Sequence, residues 1–169
     1  LTIANYREVV LDKIRAFDCR GNFSRSAYCN RVAVTNCRFE RIVSDAVRFT
    51  SSNYVVVDGN LFADTGDNCI ALHTTPKSGA FPYVRTHTTS HAVITNNRMV
   101  SAVCPLILGA HTVVFANNIL QRCGGGLAIG TQGSPSPEGN SPSVNVLIAG
   151  NVIEDSLQRY IDEAFGAQT

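Results

Sequence analysis

Residues 54–75 read YVVVDGNLFADTGDNCIALHTT. The stretch divides into an apolar run, a Gly59-Asn60 turn, a second short run, a Gly66-Asp67-Asn68 corner and a third apolar run. Apolar residues alternate or cluster in runs of three to five, which fits short strands and no helix period. Working outward, the piece around Gly59-Asn60 recurs. The hexads VTNCRF (34–39), VDGNLF (57–62), ITNNRM (94–99), FANNIL (115–120) and IAGNVI (148–153) share one pattern, and LDKIRA (11–16) is a weaker copy. Their fourth positions are Ile14, Cys37, Asn60, Asn97, Asn118 and Asn151, spaced by 23, 23, 37, 21 and 33 residues.

A repeat of 21–23 residues with two longer intervals is the mark of a solenoid carrying two insertions. The expected fold is all-β, a right-handed parallel β-helix of five to six coils in one domain over residues 1–169. Inward residues such as Val55, Val57, Ile70 and Leu72 stack on their equivalents in the next coil. Asn or Gly suits the left-handed corner, and stacked Asn side chains can bond from coil to coil. A leucine-rich horseshoe is the alternative, but its LxxLxL frame and its helix per repeat are missing.

Within each coil the strand before the Asn corner (32–34, 55–57, 92–94, 113–115, 146–148) forms a second sheet, and the strand after it (38–42, 61–63, 98–100) a third. The first sheet takes 46–50, 69–74, 105–109 and 127–131, with insertions at 75–91 and 132–143 beside it. Residues 1–30 fit the period poorly and are expected to form an irregular first coil. Residues 154–169 are expected to be a partial last coil or a cap, since an open solenoid end exposes strand edges.

Fourteen Lys and Arg against thirteen Asp and Glu give no electrostatic case for nucleic acid or an anionic membrane, and neither partner is expected. No apolar run approaches the roughly 20 residues of a membrane span. The start, LTIANYREVV, has no initiator Met and no signal-peptide pattern, so the chain is expected to be part of a longer protein. The six cysteines form no CxxC pair and no zinc spacing. They read as small core residues, with a Cys19–Cys29 disulfide as the alternative. No cofactor and no metal site is expected.

Alternation on the first sheet, with Val47/Phe49, Ile70/Leu72, Leu106/Leu108 and Leu127/Ile129 inward, sends Arg48, Ala71, Ile107 and Ala128 outward. The next outward row is Thr50, His73, Gly109 and Gly130. Such small residues make a smooth floor for an extended sugar beside Arg48 and His73. The same floor also suits a neighbouring chain, as in a homotrimer.

The repeat resembles the parallel β-helix superfamily of pectate and alginate lyases, polygalacturonases, C5-epimerases and phage tailspikes, over roughly residues 30–155. There the usual ligand site is the first-sheet groove flanked by loops. GDNCIAL (66–72) resembles the GDDCIA motif of polygalacturonases, and SDAV (44–47) loosely resembles their NTDG motif. The resemblance implies Asp67 as general acid and Asp45 as the carboxylate that activates water. Asn68 stands at the second acidic position, and Ala102-Val103-Cys104-Pro105 stands where that family has GHG. Carboxylates about 6.5–9.5 Å apart suit an inverting hydrolase.

His73 suits a base for lyase or epimerase chemistry beside a uronate. Arg48, Asn68, Phe81, Tyr83 and His87 are the expected substrate contacts. The expectation is a polysaccharide-processing protein, extracellular or virion-associated. The alternative is a non-catalytic module such as a trimeric tailspike shaft or an adhesin.

Overall fold

The computed structural model describes residues 1–74, 88–130 and 142–156. Among these residues eighteen strands make six coils of three. The first coil holds β1 (Thr2–Ala4), β2 (Glu8–Asp12) and β3 (Arg15–Cys19), and the second β4 (Ser24–Ala27), β5 (Arg31–Thr35) and β6 (Arg38–Ile42). The third holds β7 (Val47–Thr50), β8 (Asn53–Asp58) and β9 (Leu61–Thr65), and the fourth β10 (Ile70–His73), β11 (Ser90–Thr95) and β12 (Arg98–Val100). The fifth holds β13 (Leu106–Leu108), β14 (His111–Ala116) and β15 (Ile119–Gln121), and the sixth β16 (Ala128–Gly130), β17 (Val144–Ala149) and β18 (Val152–Glu154). Every third strand pairs in parallel, giving three six-stranded sheets that enclose one core. Among the described residues there is no helix, and so none long and apolar enough to cross a membrane.

The hexad register of the sequence is the register of the fold. Val34 pairs with Val57, Val57 with Ile94, Ile94 with Phe115 and Phe115 with Ile148. Those inward residues are fully buried through the fifth coil. On the third sheet Phe39 and Phe62 stack with ring centroids 5.2 Å apart, and Phe23 tilts against Phe39 at 5.1 Å. Burying each such ring contributes about 1.5–3 kcal/mol.

The corner before the third sheet is held by the Asn ladder. The Asn60 N–H donates to Asn97 Oδ1, the Asn97 N–H to Asn118 Oδ1 and the Asn118 N–H to Asn151 Oδ1, at 2.9–3.0 Å. The carboxamides of Asn60, Asn97 and Asn118 each also donate to the next Asn and back to a backbone carbonyl, as Asn97 Nδ2 does to Val57 O at 2.9 Å. Cys37 ends the ladder: its N–H donates to Asn60 Oδ1 at 2.8 Å, and its Sγ accepts from the Ile14 N–H at 3.4 Å. The residue before each ladder position is left-handed in all six coils: Lys13, Asn36, Gly59, Asn96, Asn117 and Gly150. Gly150 is required on a second ground, since a Cβ there would meet Asn117 Oδ1 at 2.4 Å.

Two expectations and one alternative are corrected. Residues 1–30 are not irregular: Thr2 pairs with Arg25, Glu8 with Arg31 and Arg15 with Arg38, in the same register as later coils. The sequence hides this because Ile14 and Cys37 stand where later coils have Asn. The outward row also shifts in the fifth coil. Ile107 pairs with Leu72 and is fully buried, so Leu106 and Leu108 face out, with Leu108 in place of Gly109. The run Leu106-Ile107-Leu108 has no alternation to set its phase. Cys19 and Cys29 do not pair: all six cysteines are free thiols, four of them buried.

Candidate functional site

The corner from the third sheet back to the first is longer than the Asn corner, and its polar groups face a different way. Between β6 and β7, residues Val43, Ser44, Asp45 and Ala46 cross over. One coil later Gly66, Asp67, Asn68 and Cys69 do the same. Gly66 is demanded by contact, because a Cβ there would lie 2.5 Å from Val43 O. Ala46 N–H donates to Asn68 O, so the residue stacked on Asp45 is Asn68, with Asp67 one step before it.

Asn68 links the two acids. Its Nδ2 donates to Asp67 Oδ1 at 2.9 Å and to Asp45 Oδ1 at 3.3 Å. Its backbone N–H also donates to Asp67 Oδ1, at 2.9 Å. Because one nitrogen serves both oxygens, those oxygens lie within about 6 Å of each other, at or below the lower edge of the separation for inverting glycosidases. From the next coil Cys104 Sγ donates to Asn68 Oδ1 at 3.5 Å and fixes which way the amide points. Sequence reasoning missed Cys104. Its only signal was its position in the segment that replaces the family's GHG. Burial, then the charges of Cys123 and Asp67, push its thiol up to about 11, so it stays a neutral donor.

Asp45 is 2% exposed. Its Oδ2 accepts from Arg48 Nη1 at 3.4 Å, and the Arg48 side chain is 32% exposed. Burial raises the Asp45 carboxyl above its ordinary value, and the Asp67 charge adds to this. The Asn68 hydrogen bond and the charges of Arg48 and His73 pull it back. Arg48 Nε is buried and has no hydrogen-bond partner among the described residues.

The expected residues thus fall into groups. Asp45, Arg48, Asp67 and Asn68 come together at one corner. His73 lies at the far end of β10, paired with Thr50 and Leu108 on the outer face of the first sheet. Phe81, Tyr83 and His87 lie outside the described residues. Arg25 pairs with Arg48 in the second coil, so two arginines stand side by side on this face, a neighbour the sequence reading had not named. The row beyond them is Ala71, Leu106 and Ala128, and the expected smooth floor is corrected on two counts: Ala71 is fully buried and Leu106 stands in the row. Among the described residues no group of three or more His, Cys, Asp or Glu is placed to hold a metal ion.

A fold of three parallel sheets with an Asn-laddered corner defines a class, the parallel β-helices. The chain belongs to the right-handed beta helix family: the model for the right handed beta helix region matches residues 1–141. That family includes polysaccharide-active enzymes and also non-catalytic proteins. No curated protein matches the sequence.

Proposed function

We propose that this chain binds an extended polysaccharide along the outer face of the first sheet and acts on it as a glycoside hydrolase or lyase. The observation that carries the reading is the Asn68 amide shared by two acids from successive coils, beside a half-exposed arginine. Asp67 is the exposed member and the proton-transfer group at the glycosidic oxygen or the attacking water. Asp45 is too buried to touch a sugar; it is a positioning residue that orients Arg48 and Asn68. Arg48 and His73 bind hydroxyl or carboxylate groups of the sugar. The protein is proposed to work outside the cell or on a virion, where such polymers are met.

The test is release of reducing or unsaturated ends from polygalacturonate, alginate and a neutral glucan. Asp67→Asn is expected to abolish cleavage and leave the thermal melt unchanged. Full activity in that variant would remove the assignment.

The burial of Asp45 favours a second reading, a non-catalytic sugar-binding module with the same face as its binding surface. It predicts binding without cleavage in the wild-type chain.

A further inference from the structure

The second sheet carries a feature that the sugar reading does not use. Its central outward row is apolar in every coil: Val10, Ala33, Val56, Val93, Val114 and Leu147 follow one another in unbroken register. Val10 is 60% exposed and Leu147 57%, while Val56 and Val93 are 37% and 38%. Ala33 makes a dip in the row, a shallow trough of about 240 Å³ walled by Val10, Val56 and Tyr54. The outer face of the third sheet differs, bearing bonded polar pairs such as Arg98–Gln121 and Gln121–Glu154. The third sheet also exposes Ile119 and Val152, but Arg38 and Arg98 interrupt that row, whereas the second-sheet row is apolar through all six coils and marks a contact surface.

We propose that this face is a homodimer interface in which two copies of the chain pack antiparallel, stripe against stripe. The width of the face suits a second copy, and charge bears on the direction in which it packs. Residues 1–41, the first two coils, hold eight Lys or Arg and four Asp or Glu, whereas the described residues of the other four coils hold three and six. Most of those charges lie off this face, whose own outward charges are Glu8, Asp12, Arg31 and Asp58, so the asymmetry acts at long range, where reversing one copy is favoured. The local rows agree. On either side of the stripe run the rows that start at Glu8 and at Asp12, both exposed. Parallel packing about a two-fold would bring Glu8 against the other copy's Asp12, like against like. Antiparallel packing sets each row against itself reversed, so Tyr54, stacked on His91 at 5.0 Å, meets the equivalent pair. Each Leu147 then projects toward the dip beside Val10 in the other copy, twice by symmetry.

Six strands about 4.8 Å apart, with five or six residues along each, give a face of roughly 29 by 18 Å. Two such faces bury on the order of 1,000 Å², the lower limit for a specific interface, so the dimer is dissociable. This surface is separate from the first-sheet corner, and the two readings fail independently.

The test is mass measured by light scattering on the whole chain, under reducing conditions, across a dilution series. The wild type is expected to approach twice the 18.2 kDa chain at high concentration and to dissociate on dilution. Val56→Lys, or Val93→Lys if the first fails to fold by circular dichroism, is expected to weaken association roughly a hundredfold or more. Val10→Lys and Leu147→Glu should each weaken it, and the V10K/L147E double variant should restore it, because those positions meet only in the antiparallel arrangement. A wild type that stays monomeric, a trimer, or a dimer indifferent to V56K overturns the proposal. A double variant no better than the singles overturns the antiparallel arrangement.

Discussion

Two corners of the same coil put amide side chains to opposite uses. At the corner before the third sheet, Asn60, Asn97 and Asn118 are buried and their hydrogen-bonding groups are taken up by neighbouring coils. At the corner before the first sheet, Asn68 faces partly outward and bonds to carboxylates, one buried and one exposed. The first arrangement is saturated and dry, so it can hold the coils together but cannot receive a ligand. The second keeps charge and accessible donors at the surface, and of the two corners only this one lets a ligand compete for the bonds. An asparagine in a β-helix corner is therefore not informative by its residue type. What its amide is bonded to decides its role.

The largest expected effect breaks the comparison on the ladder side. Asn97→Leu leaves the Asn60 N–H and the Val57 carbonyl without side-chain partners inside the core. Each orphaned group costs about 1–3 kcal/mol, which chemical unfolding will read directly. Asn68→Leu, at the half-exposed corner, is expected to cost no more than about 1.5 kcal/mol. Equal losses at the two sites would erase the distinction.

A smaller gain sharpens the ladder. Cys37→Asn puts an amide where the thiol now accepts from the Ile14 N–H at 3.4 Å. It should stabilise the chain by about 1 kcal/mol in the same unfolding assay, by extending the amide run by one coil.

The smallest effect is a pH slope at the other corner. Burial, helped by the Asp67 charge, raises the Asp45 carboxyl above 3.8, so the fold favours its protonated form. Wild-type stability relative to Asp45→Asn should be level below pH 3.8 and fall as pH rises through the raised value. Asp12 and Asp18 shift the other way, held low by hydrogen bonds from Asn36 and Thr35 and from Arg41, but they are common to both proteins and cancel. Melting temperatures of the pair across pH 3 to 7 read the difference, and parallel curves would show that Asp45 is not so held.

Much of this was legible in the residues. The Asn60, Asn97, Asn118 and Asn151 positions gave the coil length, the two long intervals and the register, because the ladder needs one residue type at one place. The corner closing each third-sheet strand was legible only once, as Gly66-Asp67-Asn68, and the left-handed residue at each was not. Asp18, Arg41, Asp64, Ser101, Arg122 and Asp155 are all left-handed there, yet none is the Gly or Asn that announces such a turn. The register of the coils imposes that conformation on Arg41, Ser101 and Arg122, while Asp18, Asp64 and Asp155 tolerate it. At the site, Asp45 and Asp67 were legible as a pair one coil apart. The stacking of Asn68 on Asp45 was not, because it depends on a one-residue difference in register. Nor was the Cys104 thiol, which acts through its hydrogen bond and belongs to no motif.

The most direct test of the central claim is hydrogen exchange of the Asp67→Asn chain with oligosaccharides from polygalacturonate, alginate and a neutral glucan. Slowed exchange at residues 43–49 and 66–73 with one of these, and none at the Asn corners, is the result predicted. No change with any of them, or protection centred on the second sheet, would contradict it.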